Sequence, residues 1–283
     1  NNVAVGYNAL TSETLGDRNI AVGRGALQNQ NNTSSVDAYN VAIGYEAGNS
    51  VTTGVQNIIV GGNAGNSLTT GTRNIAIGQS ALASEDAGGH NVAVGHLALQ
   101  DQDAGDAYNV AVGSNAGKEV TTGMRNTIMG GLTGDALTTG SDNVAIGYGA
   151  LSAEDTGGKN VAVGRGALGT LDVGGDGYNV ALGYFSGTAM TTGNSNVTIG
   201  YNCAHQLTTG DSNVVIGTNA MIAANGSEAR NVAIGSGALA AMDNDGSNYN
   251  VAVGYNAGND ITTGTQNTII GGLAGDALTT GGG

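Results

Sequence analysis

The stretch Asn160-Val161-Ala162-Val163-Gly164 recurs as near-copies sixteen times, beginning at Asn2, Asn19, Asn40, Asn57, Asn74, Asn91, Asn109, Asn126, Asn143, Asn160, Asn179, Asn196, Asn213, Asn231, Asn250 and Asn267. Successive copies start 17 residues apart or slightly more. A fixed short period marks a repeat architecture in which each unit is completed by its neighbours. We number the units as coils 1 to 16 and count positions within each from the motif Asn.

Each copy reads as a strand, because positions 2 and 4 are β-branched almost throughout and the Gly at position 5 then breaks it. Alternate residues of a strand face opposite ways. The β-branched pair, Val161 and Val163 in coil 10, is therefore expected to fill the inside of a coil, with Asn, Ala and Gly at positions 1, 3 and 5 facing out. Helical periodicity is absent, and Gly recurs too often for useful helices. The expected fold is all-β: a parallel β-roll or β-solenoid of sixteen coils, each stacked about 4.8 Å above the last.

Two further regularities support this. Position 8 is Ala in every coil but three, where it is Thr133, Ser186 or Cys203, so it must be small and enclosed. A large apolar plug follows at position 9, as in Leu27, Leu82 and Leu99, or at position 12, as in Val51, Leu68 and Leu137. A longer period is superposed: Tyr39, Tyr108, Tyr178 and Tyr249 each precede a motif Asn. Four coils thus form a supercycle, and residues 1–283 read as one repeat domain with full cycles at about 40–108, 109–178 and 179–249 and partial cycles at 1–39 and 250–283. Thr-Thr-Gly closes the first two coils of a cycle, and acidic Gly-rich turns close the others. No atypical capping repeat stands at either end, so the chain reads as part of a longer protein.

Composition excludes several classes. The chain has 52 Gly, no Pro, no Trp and one Phe, which does not resemble an ordinary globular core. A net charge of −14 argues against nucleic acid or an anionic membrane as the main partner. One cysteine makes no intrachain disulfide, and no apolar run is long enough for membrane insertion.

Ordering a 17-residue coil costs about what its few aliphatics and ladder hydrogen bonds return, so one stack alone is marginal. The outward strand face is expected to supply the missing burial. Position 3, usually Ala, becomes Ile59, Ile128, Thr198 and Ile269 in the second coil of each cycle, with Val215 besides. These residues are the expected oligomer face, packed against copies of the same chain.

The unit Asn-Val-Ala-Val-Gly-x-x-Ala resembles the Asn-Ser-Val-Ala-Ile-Gly-x-x-Ala/Ser head repeats of trimeric autotransporter adhesins of the YadA type. It is also similar to the Asn-Thr-Ala-Ile-Gly-Tyr-x-Ala-Leu…Thr-Thr-Gly repeats of phage tail-fibre proteins. The resemblance covers the whole chain. It implies a homotrimer of parallel β-rolls, intertwined or side by side, left-handed in the adhesins. The 17-residue period, the Thr-Thr-Gly closure and the Tyr after the motif Gly favour the tail-fibre branch. The expected function is a structural segment of a virion tail fibre that spaces or presents host-receptor binding, the alternative being an extracellular adhesin head or filament binding surface polymers. An ice-binding solenoid is a remote alternative, since the Thr pairs are missing from two coils in four.

Chemical motifs are few, and no enzyme activity or cofactor is expected. Gly164-Arg165-Gly166-Ala167-Leu168-Gly169 matches a dinucleotide fingerprint, but a Gly-rich turn follows it where a helix is needed. Cys203 and His205 stand two apart, yet Cys203 occupies the enclosed position 8 and reads as a packed thiol. Asp243-Asn244-Asp245-Gly246 and Asp101-Gln102-Asp103 lack the later Glu of a calcium loop and read as solvated turns. The aromatic and basic residues are more informative. Tyr7, Arg24, Tyr45, Tyr148, Arg165, Tyr184, Tyr201 and Tyr255 directly follow the motif Gly and form a candidate row for a glycan or protein receptor, or else cover the seams between subunits. A second row, including Arg18, Arg73, Arg125, Lys159 and Arg230, precedes the Asn.

Overall fold

The computed structural model describes residues 1–282 and is an all-β parallel solenoid of sixteen coils of about 17 residues. Every motif copy supplies a three-residue strand, from Val3–Val5 to Thr268–Ile270, and there is no helix among the described residues. The chain divides into two compact units, Asn1–Ser141 and the residues from Asp142 onward, with eight coils in each. Within each unit the strands pair parallel and in register, so Val41, Ala42 and Ile43 face Ile58, Ile59 and Val60, and Val161, Ala162 and Val163 face Val180, Ala181 and Leu182. Each unit has its own apolar core. Near the ends of coils 1 and 2, Gly16–Asp17 and Val36–Asp37 form a further small parallel pair.

The strand faces are inverted relative to the sequence expectation. Position 3 points inward: Ala42, Ala76, Ala111 and Ala162 are buried, while positions 2 and 4 are half-buried or exposed, with Ile43 and Ile58 at 41%. The expected oligomer face is corrected with it. Ile59, Ile128 and Val215 are completely enclosed within their own coils, and Thr198 and Ile269 are 1% and 8% exposed. The cause is volume. Position 3 projects toward positions 8 and 9 of the preceding coil, and in these places position 9 is small: a Cβ on Gly48 would stand 2.8 Å from Ile59 Cδ1, and one on Gly117 2.8 Å from Ile128 Cδ1. The larger residue at position 3 fills the space that Leu occupies elsewhere. Thr198 accepts a hydrogen bond from the Ser186 hydroxyl at 2.9 Å, and Val215 packs in the cluster that holds Ala204.

Asn at position 1 also turns inward and closes each coil. Asn57 N–H donates to Asn40 Oδ1 at 2.9 Å, and Asn57 Nδ2 donates to the Gly71 carbonyl at 2.9 Å. Asn196 repeats the pattern with Asn179 and Gly210. Most of these buried amides are fully paired, the Nδ2 groups of Asn19 and Asn91 being exceptions. Gly at position 5 is required by close approach: Gly44 has φ 142°, and a Cβ there would lie 2.5 Å from the Gly61 carbonyl oxygen of the next coil.

The enclosed position 8 is as expected, since Thr133, Ser186 and Cys203 are completely buried. Position 12 is interior in nearly every coil, and it includes residues that look like turn polars. Gln30, Glu85, Gln102 and Glu154 are as buried as Val51, Leu68, Val120 and Leu137.

Candidate functional site

What the coils leave outside is a sheet face of Val and Ile flanked by large polar and aromatic side chains. In-register pairing stacks positions 2 and 4 into two columns in each unit, such as Val144, Val161 and Val180 beside Ile146, Val163 and Leu182. These side chains are half-buried, and a face of this composition is the kind that a partner covers.

The row preceding the Asn is a set of clasps. At the Tyr of each supercycle, a cationic or imidazole group of the coil before lies over the ring: Arg18 at 5.2 Å from the Tyr39 centroid, Lys159 at 5.1 Å from Tyr178, Arg230 at 5.7 Å from Tyr249, and His90 stacked 4.8 Å from Tyr108. Three of the four also face a carboxylate. Arg18 meets Asp37 at 3.0 Å, His90 meets Asp106 at 3.6 Å, and Lys159 meets Asp176 at 2.6 Å. The hydrogen bonds from Lys159 to Asp176 and the Tyr178 hydroxyl hold the ammonium above its ordinary value, and the same contact holds Asp176 below the usual carboxylate range. With their charge neutralised, Arg18 and Lys159 bridge neighbouring coils and are poorly placed to take a ligand.

The row following the Gly is not continuous. In the first unit Arg24 lies 5.6 Å from the Tyr45 centroid, and Tyr7 is 72% exposed. In the second, Tyr148, Arg165, Tyr184 and Tyr201 come together: the Arg165 guanidinium is 5.9 Å from the Tyr148 ring and 5.6 Å from Tyr184, to whose hydroxyl Nη1 donates at 2.9 Å, and Tyr184 stacks on Tyr201 at 5.7 Å. Tyr255 stands apart, 61% exposed.

One participant escaped the sequence reading. Phe185, the only Phe of the chain, sits at position 7, edge-on to Tyr184 at 4.3 Å and 5.6 Å from the Arg165 guanidinium. The signal was available, since position 7 otherwise carries only Asn, Gly, Glu, Ser or Leu. Beside these rings lies an open notch of about 240 Å³.

The remaining motifs take structural roles. Cys203 donates its S–H to the Val215 carbonyl at 3.0 Å, and burial pushes its thiol up to about 12, so it holds no thiolate near neutrality. Gly164–Gly169 runs from strand into turn without a helix. No protein-family model, no curated protein and no solved structure matches the chain.

Proposed function

We propose that this chain is a structural segment of a homotrimeric fibre, of the kind found in the phage tail-fibre proteins its repeats resemble, which spaces or presents host-receptor binding. The observation that supports it most is the outer sheet face. Within each unit nearly every coil places two partly exposed aliphatic side chains in register on the same side, Thr127 and Thr268 being the exceptions, so the face repeats from coil to coil and can be covered by copies of the same chain. Nearest-neighbour stacking makes the length modular, because no coil depends on any but its neighbours.

The test is removal of one supercycle, Asn40 to Tyr108, which joins Tyr39 to Asn109 and restores the Tyr-Asn junction of the other cycles. Such a chain is expected to fold, to sediment as a trimer at micromolar concentration, and to give fibres about 19 Å shorter for four coils. Particles carrying it are expected to keep host attachment. A monomeric full chain would remove the assembly reading, and lost attachment by correctly folded shorter fibres would remove the spacer reading.

A further inference from the structure

We propose that the notch on coils 9 to 11 binds a single carboxylate-bearing sugar ring, of the uronic- or sialic-acid class, with Arg165 as the carboxylate receptor. The inference begins from a departure from the repeat. Position 7 of coils 9 and 10 is Gly149 and Gly166, while coil 11 carries Phe185. The Phe185 ring lies over Gly166, where a Cβ would come within 2.5 Å of two ring carbons, and the space above Gly149 stays open, with nothing nearer to a Cβ there than the Ser152 hydroxyl at 4.0 Å. Two missing side chains and one large one thus make a notch with an aromatic wall.

Its chemistry is specific. Arg165 takes part in no carboxylate pair among the described residues, in a chain that carries 22 acidic groups against 8 basic ones. Among the described residues its one hydrogen-bond acceptor is the Tyr184 hydroxyl, which leaves the rest of the planar fork for a bidentate carboxylate. Tyr148 and Phe185 line the notch beside the Arg165 guanidinium that already faces both rings, and their remaining ring surface suits the partly positive C–H face of a pyranose. The hydroxyl rim adds acceptors. Ser152 donates to the Gly169 carbonyl and Thr170 to those of Thr188 and Met190, so their oxygen lone pairs remain for sugar hydroxyls. At about 240 Å³ the notch falls below the roughly 300–1,000 Å³ of sites for drug-sized ligands, which fits one ring and not an oligosaccharide.

Coil 2 shows what the same sequence does without a notch. Arg24-Gly25-Ala26-Leu27 matches Arg165-Gly166-Ala167-Leu168, but the residue after Tyr45 is Glu46 where coil 11 has Phe185. There a carboxylate occupies the place of the aromatic wall, and a Cβ on Gly25 would lie 3.3 Å from Glu46 Cγ. A sugar acid is repelled at that copy and accepted at the other.

This deepens the reading of the chain as a fibre segment and rests on it only for the source of the sugar. The experiment is titration of the intact chain with methyl glucuronide, followed by NMR or calorimetry, with methyl glucoside and inorganic phosphate as the comparisons. Saturable millimolar binding of the glucuronide is expected, at least tenfold tighter than of the glucoside or of phosphate. Arg165→Gln is expected to weaken it at least tenfold. Gly149→Leu is expected to do the same while still folding, with only the modest drop in unfolding temperature that a left-handed Leu brings, because Leu97 and Leu132 already hold that position at φ 58° and 52°. Equal binding of glucoside and glucuronide, phosphate binding as tight as the glucuronide, no saturable binding, or binding untouched by both substitutions would overturn the proposal. None of these results bears on the fibre reading, whose test deletes coils that do not contain the notch.

Discussion

Coils 3 and 4 and coils 5 and 6 enclose the same kind of interior with different residues. In coils 5 and 6, Leu82 and Leu99 at position 9 fill it, each at a left-handed φ of 53° and 47°, with Ala76 and Ala93 at position 3. In coils 3 and 4 the left-handed position is Gly48 and Gly65, and the volume comes from Ile59, Val51 and Leu68. The backbone is the same in both. A left-handed Leu costs roughly 1–2 kcal/mol, and its burial returns about 1.5–3 kcal/mol, so the two solutions are close to equivalent. The difference teaches that the coil conserves volume and backbone shape and not residue type at any one position.

Breaking the Gly-type solution should have the largest effect. Ile128→Glu places an unpaired carboxylate where no solvent reaches, and is expected to cost several kcal/mol in denaturant unfolding. Val112→Asp, one coil away on the outer face, is expected to cost only about 1–2 kcal/mol, since Val112 is half-buried and Asp is a poor strand former. Equal losses measured on dilute chain would mean that the outer face is buried during folding itself, and that the coils fold only as an assembly.

Converting one solution into the other sharpens the comparison. Gly117→Leu alone collides with Ile128, because even a Cβ stands 2.8 Å from its Cδ1. Ile128→Ala alone leaves a cavity, at about 2–5 kcal/mol. The pair Gly117→Leu with Ile128→Ala recreates the arrangement of coils 5 and 6. The double variant is expected to be more stable than the sum of the singles by about 1–3 kcal/mol in a double-mutant cycle. Additive losses would show that the two positions do not share one space.

These residues also show what could be read in advance. The period, the strand at each motif, the parallel stacking, the enclosed position 8 and the plug residues were all legible, because periodicity and residue size report directly on coil geometry. The facing was not. Val and Ile look like core and Ala looks neutral, but the inside of a 17-residue coil is too narrow for two β-branched side chains per strand, and admits one residue at position 3, which is Ala wherever position 9 of the coil before carries Leu or Met. Asn at position 1 looked like an exposed polar residue, whereas its amide spans two coils and needs enclosure to do so. At the notch, Arg165 and its Tyr neighbours were visible as a row, while Phe185 required asking which residue breaks the repeat.

The smallest expected effect lies at position 12 of the Leu-type coils, where the comparison includes a charge. Glu154 occupies the place that Leu137 and Leu171 hold in neighbouring coils, and accepts hydrogen bonds from Gly157 N–H at 2.7 Å and Val173 N–H at 3.3 Å. Burial nevertheless dominates and pushes its carboxyl above the usual range, with these N–H groups drawing it part of the way back. A carboxyl whose folded-state value is raised binds its proton more readily in the folded chain, so its effect on stability is least unfavourable in acid and grows more unfavourable as pH rises through the carboxylate range. Glu154→Leu removes this dependence and supplies the residue the fold already accepts at that position. The stability of the variant relative to the wild type is therefore expected to increase from pH 4 to pH 7 and then level off, measured by denaturant unfolding at each pH. A difference that instead shrinks as pH rises would show that the two N–H donors outweigh burial, and that coil 9 is held closed by an ionised carboxylate where its neighbours use an aliphatic plug.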